Sequence, residues 1–156
     1  MTFIPPLTCD EVETIFRGTF SDFDLLPCGG QGAVFKCVHM DTGEFVALKL
    51  YFDNQIQQRT DREVDLMKRI SCETLVSLVQ YGKTLVRGMD CFYLATKYIE
   101  GMALSDIINH REMSTQELSQ CGLDVANAIR VLWNERIVHR DINPKIYLLQ
   151  LMVRPS

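Results

Sequence analysis

Residues 33–51, "AVFKCVHMDTGEFVALKLY", leave little freedom of local structure. Two runs rich in β-branched and aromatic residues, "AVFKCVH" and "EFVALKLY", flank "MDTG", whose Asp and Gly favour a turn, so the segment reads as two strands. Side chains alternate along a strand. Phe45, Ala47 and Lys49 therefore share one face, and Val46, Leu48 and Leu50 share the other. A lysine on an otherwise apolar strand face needs a counter-charge, a ligand or a path to water, because burying an unpaired ammonium is costly.

The remaining elements follow from similar signals. Thr8 and Glu11 are spaced as a capping box, which predicts a helix from Thr8 to Arg17. Strand character begins near Asp24, and Gly29, Gly30 and Gly32 sit in the turn between two strands. "DREVDLMKRI" predicts a helix with Val64, Met67 and Ile70 near one face. "LVSLVQYG" and "CFYLATKYI" read as two more strands, with "KTLVRGMD" as the connection between them. After "YIEGM" the chain reads as helical. Ser114 and Glu117 form a second capping box, and Leu118, Cys121, Val125, Ile129 and Leu132 mark the buried stripe of a long helix ending near Glu135. The expected class is α+β, with a lobe boundary at "YIEGM".

Composition bounds the function. Of the 156 residues, 47% are apolar and 23% charged, which excludes a disordered chain. The net charge of −4 gives no electrostatic reason to expect nucleic acid or anionic lipid as a partner. The cysteines form no C-x-x-C pair, so a zinc site and a disulfide framework are not expected. No basic segment followed by an apolar run opens the chain, and no stretch approaches the roughly 18 apolar residues of a membrane span. The expectation is a soluble, cytoplasmic protein without a membrane partner.

Several features carry chemistry. Glycines at 29, 30 and 32 let backbone N–H groups approach a phosphate. Ala47 is small enough to leave room for a flat ring over the sheet. Glu63 offers Lys49 a counter-charge, although Thr60–Glu63 also reads as a capping box. "HRD" at 139–141 follows the long helix. In this order, the glycine loop, Ala-x-Lys, helix Glu, "YIEG" linker, long helix and "IVHRDINP" resemble a protein kinase domain, from about residue 24 to residue 149.

The resemblance implies a small lobe made of an antiparallel sheet with one inserted helix (24–99), preceded by a helical extension (1–23). A partial large lobe (100–156) would follow. It implies ATP as cofactor, with Gly29, Gly30 and Gly32 at the phosphates, Val34 and Ala47 over adenine, and Leu148 beneath it. Lys49 would hold the α- and β-phosphates, oriented by Glu63. Thr96 would be the gatekeeper, and the Lys97 carbonyl and Ile99 N–H would meet the adenine edge. Asp141 would be the base, supported by His139, Arg140 and Asn143. A serine/threonine protein substrate or a partner kinase would be the protein partner.

The departures are Pro27 in place of the first loop glycine, Asn143 where many serine/threonine kinases carry lysine, and Ile146 where the family has a magnesium-holding Asn. There is also no Asp-Phe-Gly segment. The expectation is thus a kinase-like domain truncated after the catalytic loop, weakly active or inactive, or else a non-catalytic module that docks nucleotide or a partner kinase. Its long helix, 114–135, would be left partly uncovered and able to self-associate.

Overall fold

The structure, a computed structural model, describes residues 3–27, 32–52, 64–65, 67–70, 72–137 and, for the backbone alone, 148–149. The chain divides into two compact units, Met1–Arg69 with Ser77–Tyr98 and Ile70–Val76 with Ile99–Ser156.

The first unit opens with helix α1 (Cys9–Ile15). Thr8 Oγ1 accepts the Glu11 N–H at 3.3 Å while the Glu11 carboxylate accepts the Thr8 N–H at 3.0 Å, the reciprocal capping expected from their spacing. Strands β1 (Phe20–Leu26), β2 (Ala33–His39), β3 (Phe45–Phe52), β4 (Leu78–Val86) and β5 (Met89–Lys97) form an antiparallel sheet in the order β1-β2-β3-β5-β4. A helical stretch between β3 and β4 is described at 64–65 and 67–69.

Alternation in β2 is complete: Ala33, Phe35, Cys37 and His39 are buried, and Val34, Lys36 and Val38 are half-buried. In β3, Val46, Leu48 and Leu50 are fully buried while Ala47 is half-buried and Lys49 exposed. The buried face packs on Phe3, Leu7, Val12, Phe16 and Phe20 from the N-terminal segment. The segment expected to be an extension, residues 1–23, thus supplies six of the fifteen buried residues of this core, Phe23 being the sixth. The opposite face carries a smaller cluster of Tyr51, Val64, Phe92 and Leu94, with Met67 and Leu78 packed against it. Burial of the Cys37 thiol in the larger core pushes its pKa up to about 12, so it stays a neutral apolar group.

Two boundaries differ from the sequence reading. β1 starts at Phe20, earlier than Asp24, and carries a bulge between Ser21 and Asp24 with Asp22 at φ 55°. The β4–β5 connection is far shorter than "KTLVRGMD". Val86 pairs with Met89, and the turn is only Arg87 and Gly88, at φ 52° and 78°, the left-handed pair that a tight hairpin requires.

Arg87 also staples that hairpin to the N-terminal segment. Its Nε and Nη2 donate to the two Glu11 carboxylate oxygens, each at 2.9 Å, and its Nη1 donates to the Pro5 carbonyl at 2.7 Å. Elsewhere in the sheet, the edge strand is tied inward by a relay. Thr42 Oγ1 pairs with His39 Nδ1 at 3.3 Å, His39 Nε2 donates to Gln80 Oε1 at 3.2 Å, and Gln80 Nε2 donates to the Tyr93 hydroxyl at 3.0 Å.

The second unit contains a short ladder of β6 (Met102–Ala103) with β7 (Leu148–Leu149), then α2 (Leu104–His110) and α3 (Thr115–Asn134). Ser114 and Glu117 cap α3 reciprocally, and Arg111 forks onto the same Glu117 at 2.7 and 3.1 Å. The Asn127 amide reaches Thr74 Oγ1 at 3.5 Å, tying α3 to the 70–76 segment. Along α3, Cys121 and Leu132 are buried, whereas Leu118 (56%), Ile129 (43%) and Trp133 (69%) are exposed. No helix among the described residues is long and apolar enough to cross a membrane.

The staple titrates. The Arg87 guanidinium, helped by the Thr8 N–H, holds the Glu11 carboxyl at about 2, below its ordinary value of 4.5. A lowered folded-state value means the stabilisation is whole above pH 4.5 and is lost as the pH falls to about 2. Arg87→Ala is expected to melt earlier than the parent at neutral pH, with the gap closing over that interval. Thermal unfolding followed by circular dichroism at stepped pH checks this; a gap that stays constant down to about pH 2 contradicts it.

Candidate functional site

The open face of the first unit's sheet is assembled by strand register. Val34 pairs with Lys49, Ala47 with Thr96, Lys36 with Ala47, and Lys49 with Leu94. Antiparallel partners project to the same side, so Val34, Ala47, Lys49 and Thr96 share one face. Val34, Ala47 and Thr96 are half-buried there, and Lys49 is exposed. The arrangement offers a shallow apolar floor with one small residue, a hydroxyl beside it and a cation at its edge.

Where β2 begins, Gly32 holds φ 81°, and a Cβ placed on it would run into the Leu50 carbonyl oxygen. Any side chain would collide with the neighbouring strand's backbone. Glycine at this point is therefore required by the β2–β3 approach itself, a reason separate from phosphate access. Pro27, at the other end of the loop, is exposed.

Cations dominate the open face among the described residues. The Lys49 ammonium lies 5.7 Å from the centroid of the Tyr51 ring. Lys36 stands over both Phe45 (4.6 Å) and Tyr98 (4.5 Å), and Lys83 over Phe92 (4.7 Å). Asp24 faces Lys36 across the β1–β2 pair. A face with this balance attracts anions. Lys36 and Tyr51 were not singled out in the sequence reading. The signal was there, since each lies two residues from a position assigned to this face.

At the end of β5, the Lys97 N–H donates to the Ser77 carbonyl at 2.9 Å and the Tyr98 N–H to the Phe45 carbonyl at 3.0 Å. Ile99 and Leu148 belong to the second unit, where Leu148 pairs with Ala103 through the backbone. Gly29, Gly30, Glu63, His139, Arg140, Asp141, Asn143 and Ile146 lie outside the described residues. The structure thus brings together the sheet residues of the expected site. No group of His, Cys, Asp or Glu among the described residues is arranged to hold a metal ion.

Comparison with known proteins gives a consistent result. A family model described as "Protein kinase domain" matches residues 20–152. The chain is 27% identical over 135 residues to human cyclin-dependent kinase-like 2, covering 83% of this chain and 27% of that protein. It is 32% identical over 124 residues to the rat serine/threonine-protein kinase PAK 5, covering 78% of this chain and 17% of that protein. A probable serine/threonine-protein kinase of Clostridium perfringens is 28% identical over 136 residues. The chain therefore spans about a quarter, or less, of the relatives it matches.

Gly32→Ala should destabilise the fold without any ligand present, by more than about 2 kcal/mol from left-handed strain and the carbonyl clash. Chemical denaturation of the two proteins measures it. Equal midpoints would show that β2 and β3 do not approach as closely here as the structure has it.

Proposed function

Because the chain belongs to the protein kinase family, we propose that the open sheet face binds ATP and serves transfer of its γ-phosphoryl group to a serine or threonine of a protein. The observation that carries this is the shared face of Val34, Ala47, Lys49 and Thr96. Adenine lies against Val34 and Ala47, with Thr96 at its inner edge; for Leu148 an adenine contact rests on the family's pattern alone. The Lys97 carbonyl and Ile99 N–H meet its polar edge. Lys49 holds the α- and β-phosphates under the loop of Gly29, Gly30 and Gly32, and Glu63 orients Lys49 by an ion pair. Asp141 accepts the proton of the substrate hydroxyl, with His139, Arg140 and Asn143 shaping the loop around it.

The chemistry of the residues present fits the nucleotide better than the metal. A small apolar floor beside an exposed ammonium suits a purine with its phosphates. Magnesium is different. Ile146 stands where the family has a metal-holding Asn and offers no lone pair, and residues 1–156 contain no Asp-Phe-Gly. The donor set does not fit the metal.

Positioning is most of the catalysis in phosphoryl transfer, so its loss costs orders of magnitude in rate. Residues 1–156 alone are therefore expected to bind nucleotide weakly and to transfer no phosphate above background. Titration with the fluorescent analogue mant-ATP should saturate, and Ala47→Phe, which fills the floor, should weaken binding at least about tenfold. Equal affinity in the variant defeats the site assignment. Incorporation of labelled phosphate into a generic protein substrate, abolished by Asp141→Asn, would overturn the expectation of inactivity.

A second reading, a docking module without turnover, draws on the exposed Leu118, Ile129 and Trp133 of α3. Apolar stripes of this kind mark contact surfaces. Sedimentation velocity should then show concentration-dependent dimers that Ile129→Glu reduces. A monomer at every concentration removes self-association through α3.

A further inference from the structure

We propose that Tyr51 is a positioning residue for Lys49, coupling the lysine to the inserted helical stretch through its ring; this rests on the reading of Lys49 as the phosphate-holding group. Tyr51 lies two residues beyond Lys49 on the same strand face, and its ring centroid is 5.7 Å from the ammonium. The face of an aromatic ring is electron-rich, so a cation over it is held by the ring quadrupole.

The ring itself is fixed. Tyr51 is 7% exposed and stacks on Phe92, with centroids 6.2 Å apart and planes 20° apart. Both belong to the small cluster that also contains Leu94 and Val64, with Met67 packed against it. Val64 and Met67 come from the inserted helical stretch. A close-packed cluster shifts as a unit, so moving that stretch displaces the Tyr51 ring, and with it the place where the ammonium rests. Exposed lysine stems otherwise sample many rotamers, and each must be given up when phosphate is gripped. The ring limits that freedom before nucleotide arrives.

The experiment combines a spectroscopic reading with binding. Lysines of the full chain are reductively dimethylated with carbon-13, and the Lys49 resonance is assigned through Lys49→Arg. An ammonium over a ring is shielded, so the Lys49 methyl signal should lie upfield of the range common to dimethyl-lysines that face no ring, as should those of Lys36, Lys68 and Lys83, which also stand over rings. Tyr51→Phe should keep that displacement and the mant-ATP affinity of the unmethylated protein. Tyr51→Leu should return the signal to the common range and weaken affinity about two- to fivefold.

The proposal is overturned by a wild-type Lys49 signal within the common range. A displacement that survives in Tyr51→Leu, or an equal affinity loss in Tyr51→Phe, also overturns it. If Tyr51→Leu does not fold, the wild-type and Tyr51→Phe signals still decide. If the wild type binds no mant-ATP, the nucleotide reading fails, while the resonance separately decides whether Tyr51 holds Lys49.

Discussion

A sheet with strict period-two alternation can bury one face completely only if something covers it, and the covering here is the N-terminal segment. Phe3, Leu7, Val12, Phe16 and Phe20 close over Val46, Leu48, Leu50, Cys37 and Ala95. With that face sealed, the other is free to stay half-open, and the same alternation sends Ala47 and Lys49 to it. The two halves of the arrangement are inseparable, because a one-residue slip in β3 would exchange them. The Arg87 fork onto Glu11 and the Pro5 carbonyl holds the cover at the β4–β5 turn.

Local chemistry made much of this legible in the sequence. Both capping boxes, Thr8 with Glu11 and Ser114 with Glu117, form as their spacing implies, since each needs only residues within one helical turn. The faces of β3 follow from alternation alone. Long-range pairings were the hidden part. That residues 3–20 complete the sheet's core depends on contacts with β2 to β5, which no local pattern encodes. The tight turn at Arg87–Gly88 was obscured because Leu85, Val86 and Met89 continue the strands up to it, leaving no polar cluster to mark a loop. On α3 the expected stripe is divided, with Cys121 and Leu132 buried and Leu118 and Ile129 exposed. Periodicity identifies the apolar face of a helix, but not how much of it a neighbour covers.

Gly32 illustrates why a motif and a fold can claim the same residue. A phosphate loop needs glycine for backbone access, while the Leu50 carbonyl forbids a Cβ on purely steric grounds. Family likeness over residues 20–152 is consistent with either cause. Lys49 is less ambiguous. An exposed lysine has no structural obligation to stand between Val34 and Leu94, and its neighbours Ala47 and Thr96 leave space above the sheet.

One face of this sheet is structural, and the role proposed for the other is to bind nucleotide. Backbone amide shifts recorded during an ATP titration test it most directly. Val34, Ala47, Lys49 and Thr96, with the glycine loop, should move in a saturable, concerted way. The amides of Leu7, Val12 and Phe16, which belong to the covering segment, should stay in place. Shifts concentrated in the covering segment, or none at all at millimolar ATP, would contradict it.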